Sequence, residues 1–137
     1  MNPTLRNILA VIAGAFIGGL VNFGIVSLSG SIIPPPEGVD VTSMESLKAS
    51  MHLFESKHFI MPFLAHALGT LVGAFVAAKL AASKSMTMAI IVGVFFLIGG
   101  VANVFMLSGP TWFNITDIAL AYIPMAWLGG KWANGKA

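Results

Sequence analysis

Residues 88–107 read MAIIVGVFFLIGGVANVFML, a run without a charge and with one polar side chain, Asn103. A helix rises about 1.5 Å per residue, so this run is about 30 Å long, the thickness of a bilayer's hydrocarbon core. Working outward, three more stretches have the same character. Ile8–Leu28 is uncharged, Phe59–Ala82 carries His66 and Lys79, and Ile115–Trp132 carries Asp117 at one end and Pro124 inside. Backbone polar groups must pair internally in lipid, so each is expected to be a helix. The expectation is an all-α membrane protein of four transmembrane helices in a single domain, 1–137.

Composition excludes the alternatives. Hydrophobic residues make up 57% of the chain and charged ones 9%, against about a quarter charged in soluble domains. The seven Lys and Arg are scattered singly, so there is no basic stripe for nucleic acid. There are no cysteines, which removes disulfides, thiolate chemistry and cysteine-ligated zinc. The first span is read as retained rather than cleaved, because its apolar run exceeds the 7–15 residues of a signal-peptide core.

Charge sets the expected orientation. Arg6, Lys79, Lys84, Lys131 and Lys136 fall on one side, Lys48 and Lys57 on the other beside Glu37, Asp40, Glu45 and Glu55. By the positive-inside rule the termini and the link Ser83–Thr87 are cytoplasmic, in an inner (plasma) membrane of bacterial type. Trp112 and Trp132 fall at opposite interfaces. The loop Ser29–His58 then faces outside. Its Pro34-Pro35-Pro36 run cannot be helical. Thr42-Ser43-Met44-Glu45 fits a capping box with Thr42 as the cap. Met44, Leu47, Met51 and Phe54 then recur at helical steps, predicting an amphipathic helix to about Glu55 that is either a lid or a surface connector.

The chain also repeats itself. Gly18-Gly19-Leu20-Val21-Asn22 matches Gly99-Gly100-Val101-Ala102-Asn103, and Ala67-Leu68, Ala74 and Lys79 match Ala119-Leu120, Ala126 and Lys131. This pattern predicts two parallel-repeated helical hairpins, an arrangement found in some transporters. Gly14-x-x-x-Gly18, Gly69-x-x-x-Gly73 and Ala126-x-x-x-Gly130 are faces for close helix packing, within the chain or in a homo-oligomer.

Polar side chains inside a membrane mark a site by default. Asn22 precedes Ser29, and His66 follows Phe59, by two helical turns, about 10 Å below the outer boundary. Asn103 falls at a similar depth, Asp117 begins the fourth span on the same side, and Thr70 and Tyr122 lie about a turn deeper. The expectation is one outward-open pocket lined by Asn22, His66, Thr70, Asn103, Asp117 and Tyr122. The competing reading has the asparagines bonding across helices and Asp117 capping a helix N-terminus. Near neutrality His66 with Asp117 forms a natural proton-linked pair.

A weaker metal set is His52, Glu55 and His58, of which Glu55 and His58 form a Glu-x-x-His pair; di-iron bundles need two such pairs and two further glutamates. Gly-x-Ser-x-Gly is absent. Known four-helix membrane families carry marker residues that this chain lacks. Small multidrug transporters carry a glutamate in the first helix, glutathione-handling enzymes carry arginines and glutamates along theirs, and fluoride channels have balanced charge; this chain has none of these. The leading expectation is a small transporter or channel-like protein. The alternatives are a non-catalytic accessory or scaffold subunit with a partner membrane subunit, and an enzyme acting on a lipid or quinone. The sequence specifies no cofactor.

Overall fold

The computed structural model describes residues 1–135, so Lys136 lies outside the described residues. The described chain is helical: α1 Pro3–Ile32, α2 Met44–Ser50, α3 Ile60–Leu80, α4 Ser85–Leu107, α5 Thr111–Leu120 and α6 Ile123–Ala133, with short 3₁₀ turns at Met51–Leu53 and Ser56–Phe59. Three helical stretches are long and apolar enough to cross a membrane: Pro3–Ile32, Ser56–Leu80 and Ser85–Leu107, with mean hydropathies of 2.2, 1.9 and 2.5.

α1 starts well before Ile8 because its beginning is specified by polar chemistry rather than hydropathy. The Asn2 side chain accepts the N–H groups of Thr4 and Leu5, and Pro3 occupies the first turn, where its missing donor is no loss. The helix ends at the proline run.

The interior is made of small residues and the exterior of large apolar ones. The buried apolar residues are mainly alanines, among them Ala65, Ala74, Ala77, Ala89 and Ala126, while Phe23 is 69% exposed, Ile98 65% and Phe105 79%. A water-soluble bundle puts its Phe, Leu and Ile inside. Lipid removes that drive and leaves close backbone packing, which favours Gly and Ala at contacts. The glycine pairs do this within one chain. A methyl at Gly14 would fall on the Gly73 carbonyl oxygen, and one at Gly18 on that of Gly69. On the other side Gly93 faces Ala126, Gly130 faces Met86 and Ala89, and Gly129 rests on the α3 backbone at Leu71. The three small-residue motifs are thus occupied by the chain's own helices.

The expected fourth helix is two helices. Pro124 has no N–H for the Leu120 carbonyl, and its ring crowds that oxygen. α5 closes with the Ala121 N–H on the Asp117 carbonyl, and α6 opens with that of Ala126 on Tyr122. The proline therefore breaks the segment at Ala121–Tyr122 rather than kinking it. Halves of 10 and 11 residues are each about 15 Å long, too short to cross a bilayer alone. The same segment begins at Thr111, so Asp117 sits well inside α5 and caps nothing.

The long loop also differs from expectation. Ser43 caps α2 by accepting the Ser46 N–H, while Thr42 bonds back to the Asp40 carboxylate. The helix stops at Ser50 instead of near Glu55. Thr42 loses the cap because the Asp40 side chain already holds its hydroxyl and its N–H in a turn. Leu47, Met51 and Phe54 face the bundle, whereas Met44 is exposed.

At the opposite end the α3–α4 link is pinned by α1. The Asn7 side chain accepts the N–H groups of Ala82 and Ser83, and Arg6 donates to the Leu80 carbonyl at 2.8 Å. Arg6, Lys79, Lys84 and Lys131 all belong to this short-link end.

Candidate functional site: a polar chamber beneath the long loop

His66 lies on α3 two turns below the loop, and Asp117 on the α5 segment opposite. The His66 Nδ1 is 2.8 Å from Asp117 Oδ1 and 3.0 Å from Oδ2. The Tyr122 hydroxyl donates to Asp117 Oδ2 at 3.0 Å, and its ring stacks on the imidazole with centroids 5.8 Å apart. Asp117 is 4% exposed and Tyr122 2%. The helix break is what permits this: Tyr122 occupies the corner between α5 and α6 and turns back along α5. Gly100 on α4 makes the room, because a methyl there would collide with the Tyr122 ring and hydroxyl.

With Asp117 accepting at Nδ1, a neutral His66 is protonated at Nδ1 and presents Nε2 as an acceptor. The Thr70 hydroxyl, fully buried, donates to the His66 carbonyl one turn back. Beside this network is a chamber of about 300 Å³ lined by Asn22, His66, Thr70, Asn103 and Tyr122, with Gly69, Phe96, Gly99 and Gly100 completing the wall. The Asn22 Oδ1 is buried there without a donor. A buried, unpaired amide oxygen costs about 1–3 kcal/mol, so this atom marks a place where something else donates.

Five of the six expected pocket residues thus border one cavity. Asp117 stands behind them, held by His66 and Tyr122, and borders a second cavity of about 260 Å³ nearer the loop. That cavity shares His66, Gly100 and Asn103 with the first; His58, Asn114 and Asp117 are its other polar lining, and the rest of its wall is mainly apolar, including Leu47, Met51, Phe54, Phe59 and Phe113. Phe59 makes edge or tilted contacts with Phe54, Trp112 and Phe113, so an aromatic cluster forms the rim. Sequence reading missed this vestibule. Its only signal was the helical spacing of Leu47, Met51 and Phe54, which shows an apolar face but not what the face covers.

His52, Glu55 and His58 do not assemble. His58 Nδ1 accepts the Glu55 N–H at 2.8 Å, its ring lies edge-on to Phe54, and the Glu55 carboxylate pairs with exposed Lys57. No group of three or more His, Asp or Glu suited to a metal ion occurs among the described residues. No protein-family model, curated protein or solved structure matches this chain.

Proposed function

We propose that this protein crosses the membrane four times and binds a small solute in the polar chamber, as a transporter or channel-like protein. The single observation that carries the reading is the Asp117–His66–Tyr122 network beside a chamber holding the unpaired Asn22 Oδ1. A bundle serving only as a scaffold would gain nothing from a buried carboxylate and an unsatisfied amide, both costly in a low-dielectric interior.

In this reading α5 and α6 together form the fourth crossing. Broken helices at membrane depth are tolerated where they line a cavity. Four cationic side chains at the short-link end support a cytoplasmic location for that end, and the long loop then faces outside. The repeat is supported in its second pair of segments. Gly69, Thr70, Ala74, Ala77 and Ala78 are buried, and so are Ala121, Tyr122, Ala126, Gly129 and Gly130, displaced by one constant step. The first pair has drifted, since Gly18 is buried while its match Gly99 is exposed. The small-residue faces lend no support to a homo-oligomer, which rests on other surfaces if it forms.

Because the chain has no cysteine, one introduced at Asn103 is unique. In intact cells with the loop side exposed, a small membrane-impermeant thiol reagent should label Asn103→Cys, and should not label Ala78→Cys in the packed end. Labelling of Asn103→Cys only after denaturation would mean a sealed interior and overturn the reading. The counterpart functional assay is solute-driven flux into proteoliposomes, lost in Asp117→Asn.

A further inference from the structure

We propose that the solute is an ammonium ion, primary or secondary, carried on an apolar body, and that it exchanges with a proton shared by His66 and Asp117. This rests on the reading of the chamber as a solute site and specifies its chemistry.

Charge is the first argument. Asp117 is the one acidic side chain buried in the bundle among the described residues. The described lysines and Arg6 lie at the ends: Arg6 on the Leu80 carbonyl, Lys79 over Phe75, Lys131 over Trp127, Lys84 in the link, and Lys48 and Lys57 in the loop. With neutral His66 the ionised pair carries one uncompensated negative charge, expensive in a medium of low dielectric. One proton on the pair neutralises it, and so does one cation in the chamber. Both together leave an excess positive charge, so each displaces the other. The titratable groups facing the pair are few. Tyr122 comes from the α5–α6 corner, His58 borders the outer vestibule, and α1 and α4 contribute no titratable side chain to either cavity, Asn22 and Asn103 being their polar ones.

Hydrogen-bond inventory is the second. The Asn22 Oδ1 lacks a donor, Thr70 has spent its proton on the His66 carbonyl, and Asp117 engages Nδ1, leaving Nε2 an acceptor in the neutral ring. The wall offers the Asn22 and Asn103 amide oxygens, the Thr70 oxygen and Nε2 as acceptors beside two amide NH2 groups. With the ionised Asp117 behind it, this wall suits a group with two or three N–H donors on a positive centre. A quaternary ammonium offers none, and an anion meets no cationic donor. Shape is the third. The chamber shares His66, Gly100 and Asn103 with the vestibule lined by Leu47, Met51, Phe54, Phe59 and Phe113, so a polar head can seat against Asn22 while an apolar body lies among the aromatic rings. Those ring faces also attract a cation on its way in.

The test is calorimetric titration of the whole protein in lipid nanodiscs with phenethylammonium, repeated in buffers of different ionisation enthalpy to count protons. Expected are about one proton released per cation bound and an affinity that tightens about tenfold per pH unit while the pair is protonated, one factor of ten being about 1.4 kcal/mol. Tetramethylammonium and the neutral analogue phenethyl alcohol should bind at least about tenfold more weakly. Asn22→Val, which removes the unpaired oxygen without adding charge, should weaken the amine by about tenfold and leave its proton count unchanged. Asp117→Asn should abolish both, with a thermal melt confirming the fold.

Equal binding of the alcohol, or amine binding without proton release, overturns the proposal while leaving a solute chamber in place. If no probe of any charge binds and Asn103→Cys stays unlabelled, the functional reading itself fails.

Discussion

The two ends of this bundle share α1, α3 and α4 yet are packed by different rules. At the short-link end Ala74, Ala78, Ala89, Ala126 and Ala133 form one buried cluster, with Gly129 and Gly130 against neighbouring backbone. At the loop end Asn22, His66, Asn103 and Asp117 take the corresponding inward positions, α5 and α6 part, and the space between helices opens into two cavities. Small residues let backbones close up and exclude everything else. Longer polar side chains hold helices apart and must then satisfy one another or a guest. One end therefore supplies rigidity and the other supplies a site.

The contrast is broken most severely at its packed contacts. Gly14→Leu drives a side chain onto the Gly73 carbonyl and Ala77, and should cost at least about 3 kcal/mol, seen as loss of the monodisperse peak in detergent. Gly19→Leu, with nothing nearby, should behave as wild type. Equal stability of the two variants would show that the α1–α3 contact is not tight. Next in size is Asp117→Leu, which leaves the His66 Nδ1–H and the Tyr122 hydroxyl without their acceptor. A loss of about 1–3 kcal/mol is expected. A thermal melt unchanged from wild type would mean that Asp117 organises nothing.

Smaller still is Tyr122→Phe, which removes one interhelical-type hydrogen bond and keeps the ring stacked on His66. About 0.6 kcal/mol is the expected cost; a loss as large as that of Asp117→Leu would make Tyr122, not His66, the main partner of the carboxylate.

The faintest effect lies outside the bundle, at Asp40. The Thr42 hydroxyl and N–H both bond to its carboxylate and hold its pKa below the ordinary 3.8. A depressed acid stabilises the fold above its unfolded value and loses that contribution as pH falls through the folded value. Being fully exposed, it should leave the unfolding midpoint between pH 5 and 8 flat, while Thr42→Val moves the Asp40 titration, followed by NMR, back towards 3.8. A midpoint that tracks Asp40 would tie the loop turn to global stability.

Much of the fold was legible in residue patterns because hydropathy and length are summed along one chain. The apolar runs around Val92, Gly18 and Gly73 read as helices, and Pro34–Pro36 read as the end of one. Helix ends were less legible. Asn2, Ser43 and Pro124 act through one or two hydrogen bonds or a single missing one, and a window average does not weigh them. Of the candidate site, the residue types came from the chain alone: Asn22, His66, Asn103 and Asp117 stand out as polar groups in apolar runs.

What the sequence by itself determined is therefore the all-helical class, the apolar lengths and which polar groups lie within them, since each follows from local composition. Tertiary structure alone decided that the glycine motifs pack against one another inside the chain, that Tyr122 turns back to share Asp117 with His66, and that Leu47 of α2 lines the outer cavity. The reason is rotational. A helix apolar on every side carries no periodic mark of which face turns inward, so only contact with its neighbours fixes which residues meet.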